Sequence, residues 1–212
     1  MGFTYNQRMS SRMLFRPLRH TIAALLCAIV CLMLASCAPA GRAVGDTQDS
    51  EPEVAHIGKI KMDMLIGLIG SAQSSDVDTL ALSAFDTAKV NAVYSSTANA
   101  SDPDEAARQA VNDMIDRRAT IIVLNEADVN GKAATAWDQV LRRARDAGIP
   151  VTMLNPISVP DDDTLFAATL TMNDRATDAQ PIARVLANIM DDKPHGREIT
   201  VSTVAADDLN RP

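Results

Sequence analysis

The stretch TIIVLNEADVNGKAATAWDQVLRRARDAGIPVTML, residues 120–154, decides the fold. Its first five residues are β-branched or apolar and uncharged, which predicts a buried strand. A polar loop then leads into an amphipathic helix at 134–147. Gly148 and Pro150 end this helix, and the apolar residues 151–154 begin the next strand. The stretch is therefore predicted to be one strand–helix–strand unit.

The same alternation continues on both sides of this unit. Apolar strands are predicted at 64–69, 92–95, 165–170 and 199–204, and amphipathic helices at 76–90, 101–118 and 176–190. Strands that alternate with helices of this length form a parallel, doubly wound α/β sheet. The uniformly apolar strands agree with this class, because helices cover both faces of such a sheet.

Polar residues follow the predicted strands at their carboxyl ends, which is where doubly wound sheets bind ligands. The candidate ligand-binding residues are Ser71, Gln73, Asn125, Glu126, Asn155, Asn173 and Asp174. Amides and hydroxyls with a few acids suit an uncharged, polyhydroxylated ligand. No nucleophile elbow, P-loop or His-Glu-x-x-His run is present in the sequence, so we expect a binding protein rather than an enzyme.

The composition narrows the partners further. The chain has 27 acidic and 20 basic residues, a formal charge of −7, and nucleic-acid binding needs a basic face, so we expect no nucleic-acid partner. The consecutive acids Asp161, Asp162 and Asp163 lack the spaced ligands and the glycine of a calcium loop. Three cysteines and three histidines offer little material for a metal or thiol site. We therefore expect no metal and no cofactor.

The first 36 residues differ in kind from the rest. Four arginines precede an apolar run at 21–35, which is shorter than the roughly 20 residues of a membrane-spanning helix. A basic segment followed by a short apolar run is typical of a secretory signal. The run ends in Leu34-Ala35-Ser36-Cys37, which resembles the bacterial lipobox. This resemblance implies a lipoprotein signal peptide at 1–36, a lipid anchor on Cys37, and an extracytoplasmic protein held at the bacterial cell membrane.

Residues 37–58 are rich in Ala, Gly, Pro, Ser and acids. A segment of this composition buries little apolar surface, so a flexible tether is predicted. Removal of the signal would also take away four arginines and bring the formal charge to −11.

Four segments resemble the type I periplasmic sugar-binding proteins of ABC transporters, in particular the ribose- and galactofuranose-binding group. They are IGLIGSAQSS, DPDEAARQAVNDMIDRRATIIVLNEA, WDQVLRRARDAGIPVTMLN and LFAATLTMNDRATDAQPIARVLANIM. The pattern W-x-x-V-L-x-x-A-x-x-A-G-I-P-V at 137–151 is the most specific of them. The resemblance covers 59–211 and implies a first α/β lobe at 59–172. It also implies a crossing segment and an incomplete second lobe at 173–212.

The resemblance implies a lipid-anchored solute-binding protein with a small-molecule carbohydrate ligand and ABC permease subunits as partners. Three ligand-contact positions depart from the family pattern. An aromatic residue and an Arg are replaced by Val77 and Asp78, an Asp-Arg pair by Asn155-Pro156, and an Asp-Asn pair by Asn173-Asp174. A common hexose is therefore not the expected ligand. A shortened relative that acts as a protein-interaction module, or as an inactive remnant, remains the alternative.

Overall fold

The computed structural model describes residues 41–50 and 63–204, all within the unit Cys37–Pro212. Cys37 and the predicted signal peptide lie outside the described residues. The strands are β1 (Leu65–Ile69), β2 (Asn91–Ser95), β3 (Ile121–Asn125), β4 (Val151–Leu154), β5 (Ala168–Met172), β6 (Gln180–Pro181) and β7 (Glu198–Ser202). The α-helices are α1 (Ser75–Thr87), α2 (Pro103–Asp116), α3 (Ala134–Asp146) and α4 (Ile182–Met190).

The described strands form one parallel sheet in the order β2-β1-β3-β4-β5-β7-β6. Helices α1 and α4 pack on one face, and α2 and α3 pack on the other. The predicted doubly wound α/β class is confirmed. Because β2 and β3 lie on opposite sides of β1, the strand order reverses between β1 and β3. This reversal opens a crevice at the carboxyl ends of these two strands.

Strand β1 divides its residues between the two cores with a period of two. Ile66 and Leu68 are fully buried in the core on the α1 and α4 side, and Ile69 is buried in the opposite core. Gly67 also faces the second core, where an added Cβ would lie 2.8 Å from Cγ of Met114 in α2. The glycine therefore lets α2 approach β1 closely beside the crevice.

Two element boundaries differ from the sequence prediction. The extended segment expected at 165–170 is a 3-10 turn at Asp163–Leu165 followed by β5, because Asp162 caps the turn by accepting from the Thr164 N–H at 3.0 Å. The helix expected from 176 begins at Ile182 instead, since the short strand β6 precedes it and ends at Pro181.

The segment that follows β5 also lies elsewhere than expected. The sequence resemblance assigns 173–212 to a crossing segment and a second lobe, whereas β7 pairs in parallel with β5, and β6 pairs with β7. The described residues 173–204 therefore complete the same sheet. Leu170 lies opposite Ile199 in this pairing, and both side chains join the core beneath α4. This shared burial explains why β7 adds to the sheet.

Residues 41–50, here called the amino-edge strap, depart from the predicted flexible tether. Asp46 forms a 2.8 Å ion pair with Arg197, and the Thr47 hydroxyl accepts from the His195 N–H at 2.9 Å. An added Cβ at Gly45, which has φ of +78°, would lie 2.9 Å from Ile189. These partners lie at the end of α4 and just before β7. The strap therefore packs against the edge where the strands begin.

No helix in the two described ranges combines the length and the apolar character needed to cross a membrane.

Candidate ligand-binding cleft

A cavity of about 180 Å³ opens at the carboxyl ends of β1 and β3, in the crevice where the strand order reverses. Four predicted site residues line it together, namely Ser71, Gln73, Asn125 and Glu126. The structure adds Thr97, Asp104, Asp128, Trp137 and Ile157 to the polar and apolar wall. Because ligands of doubly wound sheets bind at this position, the cavity is the candidate binding cleft.

One hydrogen-bonded cluster joins the loops that follow β1 and β3. The Ser71 hydroxyl donates to Oε2 of Glu126 at 2.8 Å and accepts from the backbone N–H groups of Gln73 and Ser74 at 3.0 and 3.3 Å. Glu126 adopts a left-handed backbone with φ of +49°, which is unfavourable for a residue with a side chain. Non-glycine residues in this region concentrate at functional sites. Ser71 thus positions both the first loop and the Glu126 carboxylate.

A buried carboxylate lies beside this cluster. Asp78 in α1 is 1% exposed. Its Oδ1 accepts from Asn125 Nδ2 at 2.8 Å, and its Oδ2 accepts from the Tyr94 hydroxyl at 2.9 Å. An added Cβ at Gly70 would lie 2.2 Å from Asp78 Oδ2, so only glycine leaves room for this carboxylate. Asp78 therefore ties α1, β2 and β3 together behind the cleft.

Burial raises the pKa of Asp78 above its ordinary value of 3.8, and the nearby Glu126 charge adds to this rise. The hydrogen bonds from Asn125 and Tyr94 favour the ionised form and oppose the rise without cancelling it. Burial, together with the Asp78 carboxylate, also raises the pKa of Tyr94. The phenol therefore remains protonated near neutral pH and donates to Asp78.

The orientation of Asn125 follows from its partner. Asp78 Oδ1 accepts the hydrogen bond from this side chain, so the Asn125 amide turns its NH₂ group to Asp78. Its Oδ1 is then left buried, with no hydrogen-bond partner among the described residues. A buried polar atom without a partner is unusual and indicates a site that a ligand or water completes.

An indole closes another side of the cleft. The buried Trp137 donates from Nε1 to Oδ1 of Asp104 at 2.6 Å. Asp104 also pairs with Arg108, whose guanidinium carbon lies 5.9 Å from the centre of the indole ring. The charge of Asp104 is thus balanced within the protein. The other two carboxylates of the wall, Glu126 and Asp128, have no cationic residue among the residues that line the cleft.

The remaining three predicted site residues do not line this cleft. Asn155 Oδ1 accepts from the Met172 N–H at 2.9 Å, and Asn173 Oδ1 accepts from the Arg175 N–H at 3.1 Å. Asp174 accepts from the Thr203 N–H and hydroxyl at 2.6 and 2.8 Å, and from Ser202 Oγ at 3.0 Å. Asn155 and Asp174 therefore connect their loops to the ends of β5 and β7, and Asn173 closes a turn within its own loop.

Asp78 stands at a ligand-contact position of the resembled family but is not among the candidate ligand-binding residues predicted from the sequence. A signal for it exists, because Asp78, Ala81 and Phe85 follow the i, i+3, i+7 spacing of a buried helix face. An acid on such a face needs a buried partner. The described residues contain no group of three or more His, Cys, Asp or Glu placed to hold a metal ion.

Comparisons with known proteins give distant similarities. No family model and no curated protein matches the chain. A galactofuranose binding protein is 23% identical, with a TM-score of 0.41, over 52% of this chain and 36% of its own. The periplasmic binding protein of an arabinose ABC transporter from Shewanella, bound to L-arabinofuranose, is 21% identical, with a TM-score of 0.41, over 59% of this chain and 40% of its own.

A protein from Burkholderia pseudomallei, described as pilus assembly-related, is 13% identical, with a TM-score of 0.42, over 65% of this chain and 97% of its own. This chain spans two fifths or less of the length of the galactofuranose binding protein and of the arabinose-transporter binding protein. The similarity to these two proteins covers about half of this chain.

Proposed function

We propose that the protein binds a small polyhydroxylated ligand of the carbohydrate class in the β1–β3 cleft. The observation that supports this most is the convergence of a hydroxyl, two amides and a carboxylate on one crevice at the strand reversal. These are Ser71, Gln73, Asn125 and Glu126. Sugar hydroxyls both donate and accept, and such side chains pair with them at little desolvation cost.

The proposal includes a lipid anchor on Cys37 at the outer side of the cell membrane. Its support is the lipobox-like stretch at 34–37 after a basic and apolar segment. Cys37 is only four positions before Gly41, where the amino-edge strap begins. At about 3.5 Å per residue, the anchor would lie within about 14 Å of the strap. The strap packs at the opposite edge of the sheet from the cleft, so the cleft would face away from the membrane.

As a solute-binding protein, the chain would deliver its ligand to the subunits of an ABC permease. The support for this partner is the sequence resemblance at 59–211, and the most specific pattern in it is the packing pattern at 137–151. An exposed, membrane-tethered cleft fits the same role.

A thermal-unfolding scan of the full chain with pentoses, hexoses and short oligosaccharides tests the binding proposal. A ligand at 100 times its Kd stabilises the state it binds by about 2.7 kcal/mol, which raises the transition temperature measurably. We expect one stereochemical class to raise it. A cooperative transition that no compound shifts would refute carbohydrate binding and favour the interaction module or remnant. No cooperative transition would show that the chain is an incomplete piece.

Substitution of Cys37 tests the anchor separately. We expect Cys37→Ser to move the protein from the membrane fraction to the soluble extracytoplasmic fraction, because one lipidated residue supplies the attachment. The matched control is Cys31→Ser, which lies in the apolar run and should leave the protein in the membrane. Equal retention of both variants in the membrane would contradict the anchor.

A further inference from the structure

The cleft offers more acceptors than donors. Glu126 is held with one carboxylate oxygen on Ser71, which leaves Oε1 as an acceptor. Asp128 accepts from the Ser158 hydroxyl at 2.6 Å, a contact that brings no positive charge to the carboxylate. None of the described residues that line the cleft is a Lys, Arg or His. A ligand that only accepts hydrogen bonds would therefore leave these carboxylates without partners.

A second observation points in the same direction. Asn125 is 4% exposed, and its Oδ1 has no partner within the described part of the chain. Asn125 precedes Glu126 directly, so the orphaned oxygen and the carboxylate belong to the same strand end. Asp78 prevents the amide from turning over, because its carboxylate needs the NH₂ group. Asn125 and Glu126 both line the cleft, and a donor that reaches the buried Asn125 Oδ1 would complete its hydrogen bonding.

We propose that the ligand carries a protonated amine, as an amino sugar or an amino polyol does, and that its ammonium group binds at Asn125 and Glu126. This rests on the proposed carbohydrate function and specifies its ligand class. An ammonium group has three donors and no acceptor, which complements a site that has acceptors and no cation. Asp78 acts as a positioning residue, since it fixes the Asn125 amide and does not line the cleft.

Calorimetric titration of the full chain with matched pairs of sugars tests this proposal at pH 7. The probes are glucose with glucosamine and N-acetylglucosamine, and galactose with galactosamine and N-acetylgalactosamine. We expect the amino sugar to bind at least about ten-fold more tightly than its parent, because a charge-assisted hydrogen bond adds that much or more. Acetylation removes the charge and should remove the preference. Equal or weaker binding of the amino sugar overturns the inference.

Substitution of the carboxylate gives a second readout. We expect Glu126→Gln to lower the affinity for the amino sugar about ten-fold, towards that of the parent sugar. The matched control Asp86→Asn removes one negative charge near the end of α1, at the opposite edge of the sheet. It should leave the affinity unchanged. A preference for the amine that survives Glu126→Gln overturns the assignment.

The outcomes separate this inference from the proposed function. Binding of a neutral sugar with no preference for its amino form would refute the inference and retain carbohydrate binding. Failure of every sugar, amino and neutral alike, would refute both. A Glu126→Gln variant that does not fold, judged by its unfolding transition, leaves the test to the matched sugars on the unaltered protein.

Discussion

Beyond β1 and β3, polar side chains line an open cleft, whereas the polar side chains that follow β4 and β5 are bonded to the ends of neighbouring strands and loops. Asn125 and Asn155 follow this division, although both lie at the end of a parallel strand. Asn125 Oδ1 has no hydrogen-bond partner among the residues that the structure describes, whereas Asn155 Oδ1 accepts from the Met172 N–H. The strand reversal separates the loops after β1 and β3, while the loops after β4, β5 and β7 lie side by side. Position in the strand order therefore decides whether such a residue is free for a ligand.

The largest expected effect lies among the side chains that follow β4 and β5, which are bonded within the protein. We expect Asp174→Ala to lower the free energy of unfolding by about 3 kcal/mol, because three hydrogen bonds from Ser202 and Thr203 end on its carboxylate. The affinity for any ligand of the cleft should stay the same. Urea-induced unfolding and calorimetric titration measure the two quantities.

The matched control is Asp178→Ala, an exposed acid four residues before α4 begins at Ile182. It should change the free energy of unfolding by less than about 0.5 kcal/mol. A loss of ligand affinity in Asp174→Ala larger than that in Asp178→Ala would show that Asp174 also contributes to binding in the cleft.

A smaller effect is expected at the end of β4. Asn155 has a left-handed backbone with φ of +44° and accepts from the Met172 N–H. We expect Asn155→Ala to lower the free energy of unfolding by about 2 kcal/mol, since it loses this bond and places an alanine in a left-handed conformation. Asn155→Gly should lose only about 1 kcal/mol, the hydrogen bond alone, because asparagine and glycine both tolerate this conformation. Urea-induced unfolding distinguishes the two, and equal losses would contradict the role of the backbone.

The sequence predicts the strand ends but not this division between them. Alternating apolar strands and helices place Ser71, Gln73, Asn125 and Glu126 at the correct edge, and parallel pairing brings them together. The same rule also selects Asn155, Asn173 and Asp174, because it contains no information about which backbone N–H groups lie nearby. That information depends on the register between distant strands, such as the pairing of β5 with β7.

The amino-edge strap shows the same limit. Its composition is that of a flexible linker, yet Thr47 and Asp46 find partners near residue 195, about 150 positions away. Likewise, β7 is correctly predicted as a strand, but nothing local specifies that it joins the sheet beside β5. Local patterns predict elements, and long-range pairing decides where they are used.

The contributions of Asp174 and Asp78 to the free energy of unfolding should change in opposite directions with pH. Burial alone would raise the pKa of Asp174, but the hydrogen bonds from Thr203 and Ser202 outweigh burial and lower it below 3.8. Its contribution to stability is therefore present above pH 3.8 and is lost as the pH falls through the lowered pKa. The pKa of Asp78 is raised, so its contribution is present below pH 3.8 and is lost as the pH rises through the raised pKa.

Urea-induced unfolding between about pH 3 and pH 7 measures these contributions, because proton linkage sets the slope of the free energy of unfolding against pH. We expect Asp78→Asn to gain stability relative to the unaltered protein as the pH rises. Asp174→Asn should show the reverse, with its deficit shrinking as the pH falls. Parallel curves for the two variants would contradict the opposite roles of these carboxylates.

The smallest expected change in stability is at Glu126, the cleft carboxylate that we propose binds the ligand's ammonium group. Glu126→Gly relieves a left-handed backbone, which favours folding by about 1 kcal/mol, but it loses the hydrogen bond from Ser71, which costs about the same. We therefore expect the free energy of unfolding to change by less than about 0.5 kcal/mol. Affinity for an amino sugar should nevertheless fall about ten-fold, as in Glu126→Gln.

At Asn155, by contrast, the glycine variant should lose stability without losing affinity. Glu126 and Asn155 share the left-handed backbone and the position just after a strand, so the pair isolates what the side chain does. A Glu126→Gly variant that loses as much stability as Asn155→Gly, with its affinity intact, would show that Glu126 stabilises the fold and does not bind the ligand. Loss of affinity at constant stability would instead show that the left-handed backbone of Glu126 serves binding and not stability.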